Sequence, residues 1–276
     1  MSKHRFVRAA IVAAALFTAA PGVTAEAGSH DVDLVGGVAP VVRTDHLLSP
    51  LRYSGAMPAF GVLWTGEGER ASNRVGLDLV LGGLRSGPDW TYTRDGETIE
   101  AGPTGTTLVD LRYAHGRRVV DGAWTVQVGG TFVTHLEQHY YPYGFTGVSN
   151  YLGTLTLSPW AEASVDLGKR QHFAVEAWVP LLAWVARSPY AVHDDEYLWH
   201  NRDTNPVFIA ARYIGAGSLA SPLSYQSGHL RATWSLDVSD HLAVLVAGRL
   251  DALHLTDPSP LTELQFGTNA GLRGSF

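Results

Sequence analysis

Apolar and polar residues alternate along most of the chain beyond about residue 30. The clearest case is residues 261–276, where the apolar side chains share one parity and the polar side chains share the other. The apolar set is Leu264, Phe266, Ala270 and Leu272, and the polar set is Glu263, Gln265, Asn269 and Arg273. A period of two predicts a β-strand with one apolar face and one polar face.

Ten segments show this alternation, which predicts an all-β fold. They are residues 31–43, 55–64, 74–84, 107–113, 124–136, 154–166, 173–181, 230–238, 242–250 and 264–276. We interpret them as a single closed antiparallel up-and-down β-barrel of about ten strands, with short turns at one end and longer loops at the other.

The number of strands depends on residues 187–226. The turns at 168–171 and 239–240 are both short, so they belong at the same end of the barrel, and one long excursion must connect them. Its apolar part, residues 206–223, is interpreted as a short helix or hairpin folded into or over the mouth. The alternative is that this stretch adds two strands, which gives twelve.

The first 25 residues predict a secretory signal peptide. Lys3, Arg5 and Arg8 precede an apolar run at 9–20 that is too short to span a bilayer, and small residues follow it. We expect cleavage after Ala25, with Ala27 as the alternative site. Residues 26–276 then form one barrel domain.

Composition excludes several classes of protein. Without the three basic residues of the leader, 17 Lys and Arg face 26 Asp and Glu, a net charge of −9. No basic stripe is present, so nucleic acid is not expected as a partner. The chain has no cysteine, and therefore no disulfide framework supports an exported domain.

Two features favour a membrane barrel over a soluble β-sandwich. The apolar parity of the strands is almost free of charge over five or six consecutive positions, which is typical of a lipid-facing band. Aromatic residues also concentrate near the predicted strand ends, as in interfacial belts. They include Trp64, Tyr113, Trp124, Tyr140, Tyr141, Tyr143, Tyr151, Trp184, Tyr190 and Trp234.

With its leader, its alternating strands and the ending GLRGSF at Phe276, the chain resembles the outer-membrane β-barrel proteins of Gram-negative bacteria. The resemblance implies a location in the bacterial outer membrane, with contacts to outer-membrane lipid and lipopolysaccharide. It also implies that the last strand, which ends on Phe276, is recognised by the barrel-assembly machinery. The strand that closes on residues 32–43 should be 264–276.

If the apolar parity faces lipid, the other parity faces the lumen. The polar candidates there are Asp78, Asp110, Arg112, Gln127, His135, Glu162, Asp166, Glu176, Arg231, Asp237, Glu263 and Arg273. They predict either a narrow, porin-like path or binding cavity for a small solute, or a network of paired charges that fills the lumen. Ala243, Leu245 and Ala247 share the inward parity, so part of the lumen should be apolar.

We rank transport or solute binding first, a structural or surface-interaction role second, and hydrolysis third. Hydrolysis would draw on a His beside an acid or Ser, but the chain contains no GxSxG motif. The candidates are His135, His139, Ser149, Asn150, His193, Asp194, Asp195, Glu196 and His200. Metal binding by four of these loop residues ranks low because their spacing is not HExxH, and no cofactor is predicted.

Overall fold

A computed structural model describes residues 28–87, 91–94, 96–100, 102–141, 148–187 and 213–276. Nearly all of these residues lie in β-strands. Among them, no helix is both long enough and apolar enough to cross a membrane.

Fourteen strands are present in the described residues. They are β1 (Ser29–Asp45), β2 (Ser49–Glu67), β3 (Ala71–Ser86), β4 (Thr91–Arg94), β5 (Glu97–Glu100), β6 (Thr104–Asp121), β7 (Thr125–Tyr141), β8 (Val148–Asp166), β9 (Gln171–Trp178), β10 (Leu182–Arg187), β11 (Ser218–Ala220), β12 (Tyr225–Ser239), β13 (Leu242–Leu255) and β14 (Leu261–Ser275). Successive long strands pair antiparallel around one sheet. The sheet closes on itself, so the predicted barrel is confirmed.

The barrel closes where the first and last strands pair. Asp33 lies opposite Arg273 and Arg43 lies opposite Glu263 in the β1–β14 register. The backbones of His30 and Phe276 also exchange two hydrogen bonds, of 2.9 and 3.0 Å. This is the predicted closure, and it extends beyond the predicted bounds at both ends.

The wall has ten strand positions, because β9 and β10 share one of them. The end of β8 near Asp166 pairs with β9, and its other end pairs with β10. Pro180 lies between β9 and β10, where its missing N–H interrupts the ladder. The three-residue β11 pairs only with β10, and the barrel closes without it. The count of ten is therefore confirmed, and the twelve-strand alternative is wrong.

The two ends of the barrel differ in their connections. We call the end that holds Ser29 and Ser275 the terminal end and the opposite one the loop end. The terminal end has four short turns, at 68–70, 122–124, 167–170 and 240–241. At the loop end the first connection, 46–48, is equally short. The connection between β3 and β6, which falls between two of the segments predicted as strands, contains the hairpin β4–β5.

The outer surface of the wall is apolar. Leu34, Phe60, Leu157 and Phe266 each expose about half of their side chain, between 47% and 57%. The alternate positions on the same strands point inward and are mostly buried, and many of them are charged. The two parities in the sequence therefore correspond to the two faces of the wall: apolar residues face outward, and the alternate residues face the lumen.

Two expectations about the loop end are corrected. Residues 213–217 do not enter the mouth: Ile214 packs on the outer face of the wall, where a Cβ added to Gly153 would lie 3.2 Å from its side chain. The Trp184 indole N–H donates to the Ile214 carbonyl at 2.7 Å, on the same face. Tyr141, predicted in an interfacial belt, instead lies inside and packs edge-on against Tyr53.

Candidate functional site

Near the loop end, one guanidinium binds three carboxylates inside the barrel. Arg43 Nη1 lies 2.6 Å from Glu137 Oε2 and 2.7 Å from Glu263 Oε2, and Nη2 lies 3.1 Å from Asp45. All four side chains are buried. The other oxygen of Asp45 accepts from Arg187 at 2.6 Å. A buried charge is tolerated only when it is paired and hydrogen-bonded, and this cluster meets that condition.

A second cluster continues the first toward the middle of the lumen. His135 links the two, with Nε2 2.7 Å from Glu137 and Nδ1 hydrogen-bonded to Asp110. Arg249 then contacts Asp110, Asp251 and, at 3.0 Å, Asp78. His229 lies 2.7 Å from Asp251 on the far side. One connected network of charges thus runs from Arg187 to His229.

Apolar side chains fill the remaining space in the loop half. Met57, Leu84, Leu108 and Tyr141 are among the inward residues of one fully buried cluster, and Leu152, Tyr225, Leu255 and Leu261 belong to another. The cavity found between these walls and the charged network has a volume of only about 30 Å³. The described side chains therefore fill most of the space in this half.

Glu137, His139 and Glu263 could in principle hold a metal ion, because their ligand atoms lie within 4.8 Å of one another. However, Arg43 Nη1 already lies between the two carboxylates. The guanidinium supplies the positive charge that a metal would bring, so we interpret the group as an ion-pair cluster. The candidates His193, Asp194, Asp195, Glu196 and His200 lie outside the described residues.

The hydrolase candidates His135 and His139 are both held in the network. His139 is 1% exposed, with Nδ1 3.1 Å from the Thr106 hydroxyl and Nε2 3.3 Å from Glu137. Hydroxyl, imidazole and carboxylate in series resemble a nucleophile, base and orienting acid. Here Glu137 is also held by Arg43, and all three side chains are buried. Asn150 donates to Asp45 at 3.2 Å, and the side chain of Ser149 is not described.

The terminal half of the lumen contains a cavity of about 630 Å³. It extends from Ser29 and Ser275 at the rim to Glu176 and Arg231 in the middle of the barrel. Many of its inward positions carry short side chains, among them Ser164, Thr233, Ser235 and Ala243. The arrangement offers a polar space the size of a small-molecule site.

The floor of this cavity is a cluster of arginine, glutamate and tryptophan. Arg74 makes two hydrogen bonds to Glu162 and lies 4.9 Å from the centre of the Trp160 ring. Arg112 lies 3.0 Å from Glu176 and 4.6 Å from the centre of the Trp178 ring. The Trp160 indole also donates to Glu176 at 3.0 Å. Each of these two guanidiniums therefore has a carboxylate partner and an aromatic face.

Higher on the wall of the cavity, charges pair near the rim. Arg273 binds Asp33 through two hydrogen bonds, of 2.7 and 2.9 Å. His172 lies between Asp166 and Asp237, at 2.6 and 3.0 Å. These pairs line the cavity rather than cross it.

The structure distributes the twelve predicted lumen residues over both halves. Asp78, Asp110, His135 and Glu263 lie in the loop-half network; Arg112, Glu162, Glu176 and Arg231 lie at the floor; Gln127, Asp166, Asp237 and Arg273 line the cavity. Arg43, Arg74, Glu137 and Arg249 also face the lumen but were not predicted to. Arg43, Arg74 and Arg249 lie within predicted strands on the inward parity, and Glu137 lies one residue beyond a predicted strand on that parity, so the period of two could have found all four.

The comparisons with known proteins concern the fold. No family model matches the chain, and no curated protein does. The structure of the outer-membrane protease OmpT from Escherichia coli is similar, with a TM-score of 0.56, 9% identity, and coverage of 94% of this chain and 100% of that one.

Two further outer-membrane structures match less well. An outer-membrane channel from Pseudomonas putida F1 has a TM-score of 0.38, 8% identity, and coverage of 93% of this chain and 100% of that one. The translocator domain of the autotransporter NalP from Neisseria meningitidis has a TM-score of 0.38, 8% identity, and coverage of 99% and 96%. The similarity to OmpT shows that the chain has the fold of an outer-membrane β-barrel protein.

Proposed function

We propose that this protein is an integral outer-membrane barrel that binds a small solute in a cavity open to the periplasm. In this proposal the terminal end faces the periplasm and the loop end faces the exterior. The loop half is closed, so the barrel does not conduct in the state described by the structure.

The membrane location is supported by the outer surface. Large apolar side chains are exposed on strands all around the wall, including Leu34, Val62, Leu230, Val244 and Leu272. Soluble monomers rarely expose apolar patches of more than a few hundred Å². Lipid is the environment in which such a band is stable, and a closed sheet leaves no unpaired edge there.

The binding function is supported by the contrast inside the barrel. A cavity of about 630 Å³ occupies the terminal half, while the loop half holds about 30 Å³ beside a buried network. A purely structural plug would fill both halves with side chains. The large cavity is the observation that carries the proposal.

Single cysteines test the open cavity, because the chain has none of its own. Thr233→Cys lies on the cavity wall, and Thr156→Cys lies in the closed half, where Thr156 is 3% exposed. A small hydrophilic thiol reagent should modify the protein with Thr233→Cys at least about tenfold faster, because the thiolate must be reached by water to react. Equal rates at the two positions would contradict the closed loop half.

Conductance provides the second test. The wild-type barrel in a planar bilayer should give no stable single-channel current. A barrel in which Arg43, Glu137 and Glu263 are all replaced by Ala should conduct if it folds, because the cluster that fills the lumen near the loop end is gone. A steady current through the wild-type protein would refute a closed lumen.

A surface-interaction barrel is the second candidate, and the filled loop half favours it. Such a barrel needs only a rigid wall that presents its loops. It predicts that changes to the cavity wall have no functional effect, whereas solute binding predicts that they do.

A further inference from the structure

Arg231 differs from the other buried arginines that face the lumen. Its side chain is 8% exposed and lines the floor of the cavity. In the part of the chain that the structure describes, no carboxylate lies within ion-pair distance of its guanidinium and no acceptor is hydrogen-bonded to it. Glu176 lies directly opposite in the β9–β12 register and interacts with Arg231 through charge at longer range, but its ion pair and its hydrogen bond are with Arg112 and Trp160.

The charges at the floor are therefore unequal. Arg74, Arg112 and Arg231 bring three positive charges, and Glu162 and Glu176 bring two negative ones. A charge removed from bulk water is stable only with a partner. The Arg231 guanidinium faces the cavity without a direct partner, so an anion in the cavity is the group that could supply one.

We propose that Arg231 binds the carboxylate of a small organic solute at the floor of the cavity. A guanidinium presents a planar fork of N–H donors that matches a carboxylate in two parallel hydrogen bonds. This proposal rests on the open cavity of the proposed function and names the class of solute for it.

The remainder of the lining favours a solute that carries a single negative charge. Eight carboxylates and six guanidinium or ammonium groups line the cavity as a whole, so it is not basic overall. Asp31 and Asp33 lie on the β1 wall, nearer the rim, beside Arg273. A polyanion would meet repulsion from that wall, whereas a single carboxylate at the floor would lie beside Arg231, where Glu162 and Glu176 are already ion-paired.

Two cysteine positions can compare the floor with the acidic wall. Thr233 is two residues from Arg231 on the same face of β12, about 7 Å away along the strand. Ser29 lines the same cavity near Asp31. Methanethiosulfonate reagents of similar size but opposite charge would be applied to each variant in detergent, so that no lipid headgroup competes.

The ratio of the anionic to the cationic rate should be about tenfold higher at Thr233→Cys than at Ser29→Cys, the lower range for a charge focused in a cleft. Adding Arg231→Gln should abolish this difference, and adding Arg231→Lys should preserve most of it. Acetate should slow the anionic reaction at Thr233→Cys more than chloride does at equal ionic strength.

Each outcome has a defined meaning. An unchanged ratio in Arg231→Gln, or equal effects of acetate and chloride, overturns the carboxylate site and leaves the open cavity intact. If neither reagent modifies Thr233→Cys, the cavity itself is closed, and the proposed function fails together with the carboxylate site.

Discussion

The two halves of the lumen are built from the same strands but differ in how their charged side chains are paired. In the loop half, three guanidiniums meet six carboxylates, and each of His135, His139 and His229 lies beside one of those carboxylates. At the floor of the terminal half, three guanidiniums meet two carboxylates. Each of the six carboxylates in the loop half therefore contacts a guanidinium directly, whereas the terminal half leaves one cation without a direct partner, facing open space.

Side-chain size explains why only one half is hollow. The inward positions of the loop half hold residues such as Met57, Leu84 and Leu108, which are at most 2% exposed. Several inward positions near the terminal end hold Ser, Thr or Ala instead. Because the same ten strand positions form the wall in both halves, shorter side chains leave volume. The difference indicates that a narrow barrel can be filled with side chains in one half and hollow in the other.

The largest predicted effect compares one arginine from each half. Arg43→Gln should destabilise the barrel by about 3–5 kcal/mol, because it leaves Glu137 and Glu263 buried without their cation. Arg231→Gln should change the free energy of unfolding by less than about 1 kcal/mol, because no described ion pair is broken. Urea unfolding in detergent, followed by tryptophan fluorescence, measures both.

Arg52→Ala is the control for Arg43, because Arg52 is exposed at the same end of the barrel. It should unfold like the wild type. Equal losses of stability in Arg43→Gln and Arg231→Gln would show that the two halves do not differ in how they hold charge.

The sequence predicted the wall better than the lumen. Alternation at a period of two depends on each strand alone, so the ten strands and the β1–β14 closure could be derived from it. The partner of a lumen charge depends on which strands face each other across the barrel, as Arg43 and Glu137 do. Spacing along the sequence does not reveal the distance between two side chains that face each other across the barrel. The Arg43 cluster and the lack of a direct partner for Arg231 were therefore not predicted.

A smaller effect is expected from filling space beside the floor. A Cβ at Gly116 would lie 2.3 Å from the Trp160 ring, so Gly116→Ala must displace the ring that covers Arg74. We expect a loss of about 1–3 kcal/mol and a smaller cavity, seen as slower labelling of Thr233→Cys. Gly248→Ala is the matched control, since nothing lies within 4 Å of its added Cβ. If the two variants unfold alike, the floor is more deformable than its packing indicates.

The smallest effect on stability is expected outside the lumen, at the rim of the terminal half. Phe276 is 72% exposed, and its ring lies 5.9 Å from that of His30. Phe276→Ala keeps the backbone hydrogen bonds to His30, so the refolded protein should differ from wild type by less than about 0.5 kcal/mol.

If the terminal aromatic acts as an assembly signal, as the resemblance to outer-membrane barrels implies, the same change should lower the yield of folded barrel in cells severalfold. Phe266→Ala removes an outward aromatic from the same strand, where Phe266 is 47% exposed, and should leave the yield closer to wild type. Heat-dependent migration on gels measures the folded fraction for both. If the yield falls equally in the two variants, the cause is the loss of apolar surface. If it falls in Phe276→Ala alone, the end of the chain is recognised during assembly, and this effect is independent of how either half of the lumen is packed.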